Sequence, residues 1–251
     1  MEQREIYVKS TLDGSLQPSL FYKSDMGEGR PLLVGLHSWS LDRFNQIDDM
    51  LPQAEKYGFN LLLPEFRGGN LSTNEECTKA CASEFAMQDI KDAIDYVIEN
   101  EGVDRDNVFL LGSSGGGHMT LMMASFCPEV FRVMAAFVPI SNLIKWAEYS
   151  DHYREHILAC CSGDEEEMKK RSPFFNIDNI AKANLKIFHG KYDIVVPVTQ
   201  SIELYNELMK KYPESSVFLD VFDGGHQMDM HQAMYWILSQ YDGSDKVNVT
   251  G

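Results

Sequence analysis

The stretch Val108-Phe109-Leu110-Leu111-Gly112-Ser113-Ser114-Gly115-Gly116-Gly117-His118 constrains this chain more than any other. Four apolar residues in a row read as a buried strand of the kind found in parallel sheets covered by helices. The glycines, followed by Met119-Thr120-Leu121-Met122-Met123-Ala124, read as a sharp turn into a helix. Within that turn Gly112-Ser113-Ser114-Gly115-Gly116 has the spacing G-x-S-x-G, which puts its central serine on a strained strand-to-helix elbow. A Cβ at Gly112 or Gly116 would collide with neighbouring backbone in so tight a bend. Ser114 is therefore the candidate nucleophile, exposed above the sheet where the free N–H groups of a helix N-terminus favour negative charge. Ser113 lacks the glycine spacing and is the weaker choice.

The rest of the chain supplies the sheet that such an elbow needs. Ile6–Lys9 and Leu20–Tyr22 flank a turn at Asp13-Gly14-Ser15 and predict an antiparallel hairpin at a sheet edge. Leu32–Leu36 and Phe59–Leu63 read as buried strands, with a helix from Ile47 to Tyr57 between them. A second helix is expected from about Phe85 to Asn100, and the elbow strand is expected to begin after Asn107. Later strands fall at Val133–Val138, Leu185–His189 and Val217–Val221, with helices at Ser201–Tyr212 and from about Met230 to Gln240. Strand alternating with helix calls for a mostly parallel sheet covered on both faces, an α/β fold in a single domain. Residues from about 140 to 183 break the pattern and are expected to form a small cap insertion. The polar tail from Asp242 is expected to fray.

Composition narrows the partners. With 22 Lys and Arg against 38 Asp and Glu, the formal charge is −16 and no dense basic run exists. That argues against nucleic acid and against an anionic membrane surface. No window approaches the roughly 18 apolar residues of a membrane span, and the N-terminus carries no apolar leader, so a cytoplasmic protein is expected. Five cysteines, an odd number, disfavour a fully paired secreted framework. Cys77 and Cys81, and the adjacent Cys160 and Cys161, lack the spacing and histidine partners of a metal site, although a Cys77–Cys81 disulfide stays open. The reading calls for no cofactor and no metal, and leaves the oligomeric state unknown.

A serine needs a base, and the base needs a group that fixes its tautomer. His226 follows the last strand in the Gly-rich loop Gly224-Gly225-His226, whereas His231 falls inside a helix. Asp193 occupies the equivalent loop one strand earlier, with Asp220 and Asp223 as spares. The order Ser114, Asp193, His226 is the one this kind of sheet produces. For the oxyanion, the Gly115 N–H is one donor and the Trp39 N–H the best second, with Ser38 N–H next. His37 and Ser38 border this loop and are candidate substrate-pocket residues, although a structural hydrogen-bonding role is the commoner one for a histidine placed like His37. Arg67 is a candidate contact for an anionic substrate or a structural ion pair. Trp146, Tyr149, Tyr153 and Phe174, with Phe175, are candidate pocket linings from the insertion.

On these residues the chain resembles the α/β-hydrolase superfamily over about Leu32 to Leu238. Within it the likeness is to prolyl-oligopeptidase-like catalytic domains and to acetyl-xylan-esterase-like and dienelactone-hydrolase-like enzymes. Its marks are Gly112-x-Ser114-x-Gly116-Gly117, Ser172-Pro173, His189-Gly190-x-x-Asp193-x-x-Val196-Pro197 with Ser201 beyond, and Gly225-His226. The resemblance implies Ser114 as nucleophile, Asp193 as acid, His226 as base, and Gly115 and Trp39 as backbone donors.

Two departures bear on the substrate. His37-Ser38-Trp39 stands where the family commonly has His-Gly-Gly or His-Gly-Tyr, a bulky side chain that would narrow an acyl pocket. The β-propeller that gates the peptidases is also missing from these 251 residues. Hydrolysis of carboxylic esters of small or carbohydrate substrates, through an acyl-enzyme, is therefore the expected activity. One alternative is a peptidase or amidase acting on short peptides, with Glu65 or carboxylates of the insertion recognising the substrate amine. The other is a binding protein on a hydrolase scaffold that turns nothing over.

Overall fold

Alternation along the strands decides how the layers form. In the computed structural model, which describes residues 1–241, Val108 and Leu110 of the elbow strand face one core while Phe109 and Leu111 face another. Leu32, Val34 and Leu36 join the first core and Leu33 the second, so one sheet divides two apolar layers.

Among the described residues the sheet has eight strands. β1 (Glu2–Lys9) and β2 (Leu16–Lys23) are the expected hairpin, with Ile6 opposite Ser19. β3 (Arg30–Leu36), β4 (Asn60–Pro64), β5 (Val103–Ser113), β6 (Val133–Phe137), β7 (Leu185–Gly190) and β8 (Val217–Phe222) follow. Their order across the sheet is β1-β2-β4-β3-β5-β6-β7-β8, antiparallel at β1-β2-β4 and parallel from β4 onward. β5 starts at Val103 rather than after Asn107, because Val103 pairs with Arg30 before the register shifts towards Leu32–Val108.

The helices cover both faces. α1 (Ile47–Tyr57) packs Met50 and Ala54 into the second core, and α2 (Glu84–Asn100) packs Ile90, Ala93, Ile94 and Val97 into the first. Ser83 caps α2 by accepting from the Ala86 N–H. α3 (Gly115–Phe126) leaves the elbow and is buried through most of its length.

No strand interrupts residues 138–184, which carry α4 (Leu143–Tyr149), α5 (Asp151–Cys160), α6 (Glu165–Lys170) and α7 (Ile177–Ile180). Leu143, Trp146, Ile157 and Cys160 from this segment form a third apolar cluster with Trp39 and Val196. Those two residues follow β3 and β7, so the cluster sits at the C-terminal edge of the sheet. α8 (Thr199–Lys211) and α9 (Met230–Gln240) complete the chain, and the tail from Asp242 lies outside the described residues. All five cysteines are free thiols, so Cys77 and Cys81 are not joined.

Candidate active site

The elbow between β5 and α3 sets the position of Ser114. Its φ of 59° and ψ of −116° are unusual for a residue with a side chain. The bend is tight enough that a Cβ on Gly112 would lie 2.3 Å from the Gly116 carbonyl oxygen, and one on Gly116 would lie 2.2 Å from that of Leu36. The Ser114 N–H donates to Phe137 O at 2.9 Å and its carbonyl accepts from the His118 N–H at 2.8 Å, which ties the elbow to β6 and α3.

The loops after β7 and β8 bring the other two groups to this serine. The Ser114 hydroxyl lies 3.0 Å from His226 Nε2, and His226 Nδ1 lies 2.7 Å from Asp193 Oδ2. A carboxylate only accepts, so Nδ1 carries the imidazole proton and Nε2 is left to accept from the hydroxyl. Asp193 Oδ1 accepts from the Val195 and Val196 N–H groups at 2.8 and 2.9 Å. Burial works against its charge, yet hydrogen bonds from His189, His226 and Val196 outweigh that and hold its carboxyl well below the usual carboxylate range.

His189 was named in the sequence only as part of a motif, and the structure gives it a place behind the acid. It is fully buried, and its Nε2–H is shared between Val196 O at 2.9 Å and Asp193 Oδ2 at 3.4 Å. With Nε2 so engaged, Nδ1 accepts from the Ser201 hydroxyl at 2.7 Å. Its only mark in the sequence is its place at the head of His189-Gly190-x-x-Asp193; the pairing with Ser201, twelve residues on, is set by the fold.

Two backbone N–H groups converge beside Ser114. A Cβ on Gly115 would fall 2.3 Å from Trp39 N, so the two main chains are in contact there. Among the described residues neither N–H donates to the protein, as expected for Gly115 at the first position of a helix. The Ser38 N–H is committed, donating to Asn45 Oδ1 at 2.9 Å, which leaves the Trp39 N–H as the better candidate donor of the two.

Ser114 and His226 open into a cleft of about 490 Å³, with Ser38, Trp39, Asn45, Asp49, Tyr153 and Met228 on its walls. Of the pocket candidates, Ser38 and Tyr153 are on these walls. Trp39 is 2 % exposed: its indole turns into the third apolar cluster, edge-on to Trp146 at 4.8 Å. Asn45, Asp49 and Met228 were missed, because nothing in a single sequence says which turn of α1, or which residue after His226, faces the cleft. A larger cavity of about 800 Å³, between α1, α9 and β7-β8, contains none of the three catalytic candidates.

Several pocket candidates are elsewhere. His37 is buried between the Ser38 and Glu65 carbonyls and stacked on Phe66. Arg67 is fully enclosed by Asp89, Asp13 and Glu76, a buried ion-pair cluster that is not on the walls of the cleft. Trp146 is buried and donates to Val195 O at 3.1 Å; Tyr149 is exposed and donates to Ile194 O at 3.1 Å. Both aromatics brace the Asp193 loop instead of lining the cleft. Phe174 borders a separate hollow with Ser125 and Lys211. Glu65 is held by Arg43 at 2.8 Å. Among the described residues no group of three or more His, Cys, Asp or Glu is arranged to hold a metal ion.

A mostly parallel sheet with serine, acid and histidine on the loops after β5, β7 and β8 defines a serine hydrolase of the α/β-hydrolase class. Residues 50–242 match the prolyl oligopeptidase family, and the chain belongs to that family. Acylamino-acid-releasing enzyme 2 of Oryza sativa is 26 % identical over 243 residues, which cover 88 % of this chain and 31 % of that protein. Feruloyl esterase B of Talaromyces stipitatus is 28 % identical over 129 residues, 49 % of this chain and 36 % of that one. The Pyrococcus horikoshii acylaminoacyl peptidase superposes with a TM-score of 0.72 at 20 % identity, covering 95 % of this chain and 40 % of that one, a likeness of fold. The chain thus spans about a third of the rice relative's length.

Proposed function

We propose that the protein hydrolyses amide bonds of short peptides or acylated amino acids, with Ser114 as nucleophile. The observation that supports Ser114 as nucleophile is the continuous relay from its hydroxyl through His226 to Asp193, beside the unengaged Gly115 and Trp39 N–H groups. Ser114 Oγ attacks the carbonyl as its proton passes to His226 Nε2, and the imidazolium so formed is stabilised by Asp193. The two N–H groups receive the oxyanion. His226 then protonates the leaving amine, and water repeats the sequence in reverse roles to release the acid.

The relay alone treats esters and amides alike. The long match to an acylamino-acid-releasing enzyme favours amides, and for that reason amide hydrolysis displaces the ester hydrolysis expected from the sequence. Ester hydrolysis stays as the second reading, supported by the likeness to a feruloyl esterase.

A rate panel of aminoacyl amides, N-acylaminoacyl amides and short-chain or feruloyl esters tests both readings, with Ser114→Ala as blank. Amide turnover is expected to exceed ester turnover, and Ser114→Ala to lower kcat by about three to six orders of magnitude with the fold retained. A Ser114→Ala protein as fast as the parent would remove the nucleophile assignment. Faster ester turnover would establish the second reading.

A further inference from the structure

α1 opens with two carboxylates, Asp48 and Asp49, in its first turn. Carboxylates are favoured at a helix N-terminus whatever the function, so their presence there carries no message. Their placement does: Asp49 lines the cleft that holds Ser114 and His226, and Asp48 does not. Among the described residues the cleft walls contain no other carboxylate and no Lys or Arg.

The other candidates for meeting a substrate's charge are committed or distant. Glu65 accepts from both the Arg43 N–H and its guanidinium, at 3.1 and 2.8 Å. No carboxylate of residues 138–184 reaches the cleft. Lys145 pairs with Glu203 at 2.7 Å, and Arg67 is enclosed. Asn45, beside Asp49, spends its Oδ1 on the Ser38 N–H. Asp49 has no ion-pair partner among the described residues, in a chain whose formal charge of −16 adds to the same sign.

We propose that Asp49 is a specificity-determining residue that selects substrates carrying a positive charge near the scissile bond, either a free α-ammonium or the side chain of a basic residue. This rests on the cleft being the hydrolytic site. An N-acylated neutral substrate forfeits the interaction, so the preference of this chain differs from the activity for which its acylamino-acid-releasing relative is named. Asp49 is exposed to solvent, so the attraction is modest and weakens with salt.

The test compares leucyl-, N-acetylleucyl- and N-acetyllysyl-naphthylamide on the parent protein, Asp49→Asn and Asp49→Lys. In the parent, kcat/KM is expected to favour one or both cationic substrates over N-acetylleucyl. Whichever of leucyl and N-acetyllysyl gains identifies the source of the charge. Asp49→Asn keeps the shape and an acceptor, and is expected to lower that ratio by about two- to fivefold; Asp49→Lys should invert it. A ratio indifferent to Asp49→Asn, or no preference in the parent, would overturn the proposal.

Binding of the same three compounds to Ser114→Ala, with and without Asp49→Asn, decides the matter independently of turnover. Tighter binding of a cationic compound that Asp49→Asn abolishes supports Asp49, and equal binding overturns it. Absence of turnover and of fluorophosphonate labelling in the parent would instead sink the hydrolase reading, leaving the binding comparison to judge Asp49.

Discussion

At Ser114 the backbone and the side chain have opposing needs. The hydroxyl reaches His226 only because the residue adopts a positive φ, a conformation in which a Cβ is strained by about 1–3 kcal/mol. The flanking glycines make the bend passable, and the hydrogen bonds to Phe137 O and from the His118 N–H hold it. Both Ser114→Ala and Ser114→Gly remove the nucleophile, but only the glycine relaxes the elbow. Ser114→Gly is therefore expected to be more stable than Ser114→Ala by about 1 kcal/mol in urea denaturation, the gain being cut by glycine's freer unfolded chain. Equal stabilities would mean that the bend stores no strain. The residue types and spacing made Ser114, Asp193 and His226 legible in the sequence. His189 and Asp49 were not, since a buried polar partner and an exposed helical carboxylate look ordinary until their neighbours are known.

Elements with a clear apolar period were read to their ends: α1 and α9 fall where Met50 and Ala54, and Ala233, Met234 and Ile237, repeat at helical spacing. Residues 138–184 have no such period, and aromatics there read equally well as pocket walls or as packing. The structure uses Trp146 and Tyr149 as struts from α4 to the Asp193 loop. Trp146 is also fully buried, stacked on Tyr153 at 4.3 Å. Trp146→Ala is expected to cost about 3–5 kcal/mol in denaturant unfolding, mostly as a cavity. Its effect on kcat should exceed that of Tyr149→Phe, which removes one exposed hydrogen bond. Equal effects would place the Asp193 loop's support elsewhere.

Across the whole molecule, Arg67 knits together segments that the sheet alone leaves apart. It joins the turn between β1 and β2 through Asp13 and Ser10, and α2 through Asp89, from the loop after β4. Burial pushes the Asp89 carboxyl up despite this partner, while hydrogen bonds from Arg67, Ser15 and Lys79 hold Asp13 well below its ordinary range. Deleting the cation strands a buried carboxylate, so Arg67→Met is expected to cost about 3–5 kcal/mol. The double variant Arg67→Met with Asp89→Leu should recover much of that loss, and additive losses in urea titrations would count against a buried pair.

The sequence by itself determined the alternation of strand and helix, the elbow and the order of the three catalytic candidates, because those depend on local periods, steric limits and chain order. Only the tertiary structure decided that residues 112 apart in the chain touch, that Arg67 is sealed away, that two insertion aromatics brace the acid loop, and that Asp49 brings a carboxylate to the cleft. Each of these depends on which side chains other elements place opposite, a distance set by the closed packing of the sheet and not by anything within one segment.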